Sequence, residues 1–219
     1  MKKSTIPTLL ERLDREYGTD IPCYLHHENA WQLLIATILS AQCTDARVNI
    51  VTKDLFQKYQ RVKDFADADL KELEQDIHST GFYHNKAKSI NALGKVMASE
   101  YSSVIPSDKK TLTSLPGVGI KTAGVFLLER RGEQVIPVDT HVRRIAIRLG
   151  FAGENDEFSA IERKLEKAFP YEEHSFVHHS FINFGRTKCS AQRPACEGCP
   201  LAVYCKYNSS TKGKKSKRG

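Results

Sequence analysis

Apolar residues recur at helical spacing along almost the whole chain, and this periodicity constrains the fold more than any other feature. Ile6, Leu9 and Leu13 already show the pattern near the N-terminus. Apolar positions three or four residues apart are typical of amphipathic α-helices. Alternating patterns typical of half-buried strands are nearly absent. The sequence therefore predicts an all-α protein.

Glycine and proline divide the periodic segments into a series of helices. The predicted helices cover residues 4–17, 31–41, 45–59, 67–78, 85–101, 107–116, 119–131, 140–149, 157–169 and 172–184. Asn29 is placed to cap the second of them. That helix is apolar on all sides, which predicts a buried, central position.

Composition excludes several classes of protein. The 219 residues are 40% hydrophobic and 27% charged, which is ordinary for a globular chain of one or two domains and argues against wholesale disorder. The longest apolar run, Trp31–Leu39, is too short to span a membrane. Charged residues from Glu11 onwards interrupt any signal-peptide core. We therefore expect a cytoplasmic, prokaryotic-type protein with no membrane partner and no structural disulfides.

The positive charge is concentrated at the C-terminus. The formal net charge is +7, but residues 208–219 hold five Lys and Arg and no acid, which leaves +2 for residues 1–207. This segment is predicted to be a disordered basic tail. A basic tail can hold a polyanion loosely, but it is equally typical of a solubilising end. Charge alone therefore does not indicate a nucleic-acid partner.

Four of the six cysteines lie within 17 residues. Cys189, Cys196, Cys199 and Cys205 have the spacing C-x6-C-x2-C-x5-C. Structural zinc sites more often join two C-x2-C pairs, whereas four-cysteine iron–sulfur clusters tolerate irregular spacing. The spacing favours a [4Fe–4S] cluster over zinc, with two disulfides as the weakest alternative. Cys23 and Cys43 are predicted to be buried free thiols.

The segment Leu115–Ala123, LPGVGIKTA, lies between two predicted helices. Pro116 and Gly117 end the first helix, and Gly119 begins the second. A Gly-x-Gly turn at a helix N-terminus presents unpaired backbone N–H groups to an anion such as a phosphate. The spacing does not fit a Walker loop or a dinucleotide fingerprint. It fits a helix–hairpin–helix that grips a nucleic-acid backbone, and a plain helix–turn–helix corner is the alternative.

Lys121 falls in the first turn of the second helix. The helix dipole disfavours a cation there, so partial burial would lower its pKa and leave a nucleophilic amine. For a lone lysine, a phosphate contact is the simpler interpretation. Asp139, in the segment VDTH, is either an N-cap or a carboxylate that stabilises a cationic transition state. An amine and a carboxylate together suit attack at the anomeric carbon of a sugar.

These motifs together resemble the endonuclease III family of DNA glycosylases, over roughly residues 4–207. The resemblance rests on LLIA leading into LSAQCTD, the hairpin, VDTH, His178-His179 with Gly185-Arg186, and the four cysteines. It implies base excision repair by a bifunctional enzyme. Such an enzyme flips an oxidised pyrimidine, for example thymine glycol, out of double-stranded DNA. It then removes the base and cleaves the abasic site by β-elimination through a lysine Schiff base.

The resemblance also implies two helical domains with a DNA-binding cleft between them. A six-helix barrel carrying the hairpin would span residues 24–133. Residues 1–23 and 134–207 would form an iron–sulfur cluster domain, followed by the basic tail at 208–219. We expect a monomer. His178 and His179 would be structural, packing or hydrogen-bonding between the domains, and His141 is left undecided.

Carried over by position, the resemblance assigns Lys121 as the nucleophile and Asp139 as the carboxylate that supports it. The remaining assignments are DNA contacts. Gln42 would fill the gap left by the extruded base, Phe82 would act as a wedge, Gly117 and Gly119 would bind a phosphate, and Arg193 would contact the backbone. A core aromatic is an equally good interpretation of Phe82.

The sequence departs from the family pattern at two of the positions discussed. Ile120 stands where the family often has a basic residue, and Phe82 stands where it commonly has an aliphatic one.

Other classes of protein fit the sequence less well. A mismatch-adenine glycosylase would lack Lys121 and need an acid in the first barrel helix, and Trp31–Ala41 has none. An 8-oxoguanine glycosylase usually lacks the cysteine loop. A DNA-binding module without activity, or an electron carrier, would leave the lysine–aspartate pair or the helical body unexplained.

Overall fold

The computed structural model describes residues 3–19 and 21–209, and in them the chain is helical throughout. Its ten longer α-helices in this part of the chain are α1 Ile6–Tyr17, α2 Ala30–Leu39, α3 Asp45–Lys58, α4 Leu70–Asp76, α5 Tyr83–Ser99, α6 Lys109–Ser114, α7 Ile120–Arg131, α8 Thr140–Leu149, α9 Phe158–Ala168 and α10 His174–Thr187. No strand occurs in these residues. The all-α prediction is confirmed. The predicted tail begins within this range at residue 208, and its residues 210–219 lie outside it.

The chain divides into two compact units. Unit 2 is the contiguous stretch Cys23–Glu133, and unit 1 combines Met1–Pro22 with Gln134–Gly219. Unit 2, every residue of which the structure describes, contains the six helices α2 to α7. Unit 1 draws α1 from one end of the chain and α8 to α10 from the other.

Helix α2 is the centre of unit 2. It packs against α3, α5 and α7, and eight of its ten residues, Gln32 to Leu39, are buried. Asn29 caps it, because the side-chain oxygen accepts a hydrogen bond of 3.2 Å from the backbone N–H of Gln32. The predicted central position and cap are both confirmed. The helix ends two residues earlier than Ala41, because residues 40–42 form a turn instead.

In unit 1, helix α10 packs against α8 and α1. The contact between α8 and α10 depends on Gly185. A Cβ at this position would lie 2.9 Å from both Cβ and Nδ1 of His141, which is too close for any side chain. Phe181, on the buried side of α10, meets Phe169 edge to face at 5.9 Å. Within residues 3–19 and 21–209, no helix is long and apolar enough to cross a membrane.

Candidate nucleic-acid site and cysteine centre

The hairpin between α6 and α7 is anchored by its apolar residues. Leu115 and Val118 are 4% and 5% exposed, and the Val118 N–H donates to the Leu115 carbonyl at 3.1 Å. Gly117 has φ +76°, and a Cβ there would lie 2.7 Å from Cβ of Ser89. Both backbone conformation and space therefore require glycine. Beside Gly119, in contrast, nothing lies within 4 Å of where a Cβ would be, so the backbone at that position is open.

The N-terminus of α7 differs from most others in unit 2. Four helices of this fully described unit are capped by side chains that accept backbone N–H groups, namely those of Asn29, Thr44, Asp69 and Asp108. Helix α7 begins at Gly119 and α5 at Phe82, and neither residue provides a side-chain cap. First-turn N–H groups without a cap are available to an external acceptor.

Lys121 is the second residue of α7 and is exposed. The partial burial that the sequence argument invoked to activate its amine is therefore absent. Its neighbour Ile120 is 57% exposed, so this turn presents a lysine and an isoleucine beside the open hairpin backbone. The arrangement leaves Lys121 accessible to a bound molecule.

Gln42 and Phe82, the two predicted duplex-inserting residues, are both exposed parts of unit 2. Phe82 is 63% exposed, so the alternative that it is a core aromatic is wrong. Both residues adopt left-handed backbone conformations, with φ of 54° at Gln42 and 49° at Phe82. Such conformations are strained for residues other than glycine and occur often at functional sites.

Asp139 is the N-cap of α8 in unit 1. Its Oδ1 accepts a hydrogen bond of 2.8 Å from the backbone N–H of Val142, so the simpler of its two interpretations is confirmed. Capping occupies one oxygen and fixes the carboxylate at the start of the helix. It does not exclude a second role, because a carboxylate accepts through both oxygens.

Two histidines of α10 hold the segment that leads to Asp139. Nδ1 of His174 lies 2.8 Å from the Gln134 carbonyl, and Nδ1 of His178 lies 2.9 Å from the Pro137 carbonyl. Both contacts lie within unit 1. The predicted structural role of His178 therefore rests on a hydrogen-bond partner within unit 1. The sequence had led us to expect a contact between the domains instead.

The four clustered cysteines line one cavity in unit 1, together with apolar residues such as Leu149, Phe184 and Leu201. All four are free and partly buried. Burial raises the pKa of the Cys199 thiol, and the other three cysteines are close enough to raise it further. Among the residues that the structure describes, no three cysteine, histidine or acidic side chains converge on a single metal ion.

Two arginines of α8 bind the loop that carries Cys189. Arg148 donates to the carbonyls of Ser190 at 2.7 Å and Ala191 at 2.9 Å, and to Sγ of Cys189 at 3.1 Å. Arg144 donates to the Cys189 carbonyl at 2.9 Å. Neither arginine is among the site residues predicted from the sequence. Like charges four residues apart on a helix repel, so their spacing was a usable signal. Arg193, in the same loop, is exposed.

The two cysteines outside the cluster are free thiols, as predicted, but both are only half-buried. Cys23 interacts with Glu129 of α7, a carboxyl that the sequence argument did not single out. Burial raises the pKa of Glu129 to about 7, and its hydrogen bond with Cys23 opposes this rise. Burial and the Glu129 carboxylate raise the pKa of Cys23 to about 12. Unit 2 therefore contains an ionisable pair that favours its neutral forms.

A helical unit with a hairpin between α6 and α7, and a second unit with a four-cysteine cavity, define a class of DNA repair proteins. The model of the HhH-GPD superfamily of base excision DNA repair proteins matches residues 35–171. Endonuclease III of Bacillus subtilis is 46% identical over 90% of this chain and 88% of its own length. The Synechocystis endonuclease III is 43% identical over 84% of each chain.

Solved structures agree with this assignment. A trapped covalent intermediate of an endonuclease III with DNA superposes with a TM-score of 0.92 and 44% identity, and covers 97% of this chain and 99% of that chain. The chain belongs to the endonuclease III family of the HhH-GPD superfamily. It is a DNA-binding enzyme of base excision repair, a DNA glycosylase with lyase activity at abasic sites.

Proposed function

We propose that the enzyme removes oxidised pyrimidines such as thymine glycol from double-stranded DNA and then cleaves the abasic site through a Schiff base on Lys121. The observation that carries this proposal is an exposed lysine in the first turn of α7, beside hairpin backbone that no side chain caps. A phosphate bound at this hairpin would bring the adjoining sugar towards the Lys121 amine.

The chemistry at Lys121 balances with water as the only other reactant. The neutral amine attacks C1′, a C–N bond forms, and the glycosidic bond breaks as the base leaves with its electron pair and takes up a proton. Ring opening then gives an imine. Loss of a proton from C2′ expels the 3′-phosphate, which breaks the strand. Water finally releases the amine.

Asp139 is proposed to stabilise the cationic character of the sugar in the transition state and to assist deprotonation of Lys121. Its capping bond supports this role, because a carboxylate held by a backbone N–H at 2.8 Å keeps one orientation without reorganisation. The contacts of His174 and His178 with the preceding segment add to this rigidity.

The proposed DNA contacts use exposed side chains and the uncapped backbone N–H groups of the hairpin. Gly117 and Gly119, with the first N–H groups of α7, would bind a phosphate. Gln42 would bond to the base left unpaired by extrusion, and Phe82 would enter the stack as a wedge. Arg193, exposed in the cysteine loop, would contact a backbone phosphate.

Cys189, Cys196, Cys199 and Cys205 are proposed to bind a [4Fe–4S] cluster. One structural observation supports the fit, because all four thiols line one cavity with apolar walls. The irregular spacing of the four cysteines favours this cluster over a mononuclear zinc site. The bound cluster would supply a fixed cross-link between the cysteines, and its four thiolates would shape the loop that presents Arg193.

Borohydride trapping tests the proposal. Sodium borohydride reduces an imine to a stable amine, so wild-type protein mixed with a thymine glycol duplex should yield a covalent protein–DNA adduct. Lys121→Ala should give no adduct. Lys110→Ala is the matched control, because Lys110 is also an exposed second residue of a helix in unit 2, and it should trap as wild type.

The outcomes separate the alternatives. An adduct with a bare abasic site but none with thymine glycol would keep the lyase chemistry and refute the proposed base. No adduct with either duplex would contradict the Schiff base. Trapping that survives Lys121→Ala would remove Lys121 as the nucleophile.

A further inference from the structure

Lys86 is buried in unit 2 although it is a lysine. Lys86 belongs to α5 and is 6% exposed. No other lysine in residues 4–19 and 21–209 is buried to this degree. Its Nζ donates to two backbone carbonyls, those of Leu39 and Thr80, each at 2.8 Å. A buried ammonium with two such bonds satisfies most of its donors.

The two carbonyls belong to the two segments that carry Gln42 and Phe82. Leu39 is the last residue of α2, three residues before Gln42, and Thr80 lies two residues before Phe82. The backbone N–H of Lys86 also donates to the Phe82 carbonyl at 3.1 Å. A single residue of α5 thus binds both turns.

Both turns need such support. Gln42 and Phe82 are two of the four non-glycine residues with positive φ in the part of the chain that the structure describes. A strained backbone of this kind costs about 1–3 kcal/mol per residue and persists only where its surroundings hold it. The end of α2 also favours a cation, because the helix dipole is negative there. An ammonium is therefore well suited to join the two turns.

We propose that Lys86 is a positioning residue that sets the Gln42 and Phe82 turns in one fixed geometry for insertion into DNA at an extruded base. The inference rests on the insertion roles proposed above for those two residues. Lys86 itself does not touch DNA, and it acts through the two carbonyls that it binds.

Insertion can be followed directly by fluorescence. The probe is a duplex with a tetrahydrofuran abasic analogue opposite 2-aminopurine, whose emission changes when a side chain enters the gap and disturbs its stacking. Lys86→Met keeps the length of the side chain and removes its donors. Lys88→Met, two residues along α5 and exposed, is the matched control. Lys86→Gln, which keeps N–H donors on a shorter chain, is measured in parallel in case the methionine variant does not fold.

Wild type and Lys88→Met should give the full fluorescence change. Lys86→Met should give less than about half of it and bind the analogue about tenfold more weakly, with undamaged duplex affinity within about twofold of wild type. In a Gln42→Ala/Phe82→Ala background, Lys86→Met should add less than about twofold, because residues that act through one another are not additive.

Three results would overturn the proposal or its basis, and they are distinguishable. A full signal in both Lys86 variants would refute the positioning role while leaving the insertion roles intact. A loss that is undiminished in the Gln42→Ala/Phe82→Ala background would show that Lys86 acts through general stability. No signal from wild type, with borohydride trapping intact, would refute the insertion roles themselves.

Discussion

The two units achieve order in different ways. Unit 2 is one contiguous stretch around the apolar helix α2, and four of its six helices begin at side-chain caps within the same local segment. Unit 1 combines two distant stretches, and histidines and arginines bind carbonyls about 40 residues away in sequence. Local signals therefore set most helix starts in unit 2, although Lys86 also joins segments 47 residues apart there. Unit 1 depends on polar contacts between distant residues and, we propose, on the cluster.

The largest expected effect tests that dependence. Cys199→Ser should remove the visible absorbance at about 400 nm that is typical of iron–sulfur centres, because serine replaces one of the four proposed thiolate ligands. Amide hydrogen exchange should then lose protection in unit 1 and keep it in α2, α5 and α7 of unit 2. Cys43→Ser, in unit 2, should retain the absorbance and the iron.

Undiminished iron in Cys199→Ser would contradict the ligand set. Equal loss of protection in both units would contradict the claim that only unit 1 depends on the cluster, since unit 2 would then also require the cysteine loop.

The next largest effect tests whether Asp139 of unit 1 takes part in base release or only caps α8. Asp139→Asn removes the charge but keeps the cap, because asparagine caps helices as well as aspartate does. Single-turnover base release should slow by about 100-fold, with little change in the melting temperature or in DNA affinity. Asp108→Asn, the same change at the cap of α6, should alter none of these quantities.

A normal rate of base release in Asp139→Asn would show that Asp139 is only a cap. In that case Asp139→Ala should lower stability by about 0.5–2 kcal/mol and leave activity largely intact.

The sequence predicted the helices because their signals are local. Apolar periodicity and capping residues act within a few positions, so the order of the helices, the central place of α2 and the cap at Asn29 could all be predicted. The start of α5 was expected at Asn85 but lies at Tyr83, because Phe82 adopts a left-handed conformation that no simple pattern encodes. The sequence left a wedge and a core aromatic as equal interpretations of Phe82, and only its 63% exposure excludes the core.

Contacts between distant segments were the other limit. The partners of Arg148 and Lys86 could not be predicted from the sequence. Only packing reveals that Arg148 binds the cysteine loop and that Lys86 binds two turns. The motif at the hairpin was recognisable because phosphate binding requires glycine and free N–H groups at fixed spacing. The accessibility of Lys121, in contrast, depends on how neighbouring side chains pack.

The smallest effect distinguishes the units by pH. Burial raises the pKa of Glu129 in unit 2 from 4.5 to about 7. Its stabilising contribution is therefore fully present below pH 4.5 and is lost as the pH rises towards 7, because the unfolded chain ionises first. Glu129→Gln should be more stable than wild type at pH 8 by about 1–3 kcal/mol and lose this advantage below pH 4.5. Glu100→Gln, exposed on the same unit, is the control.

Unit 1 should respond at the opposite end of the pH range. Burial lowers the pKa of His179 in α10 from 6.5 to about 4, so its contribution is present above pH 6.5 and is lost as the pH falls towards 4. Hydrogen exchange should therefore show unit 1 losing protection from pH 7 to 4.5 while unit 2 gains it. If protection in both units changed in the same direction, Glu129 and His179 would not govern the pH dependence of the two units.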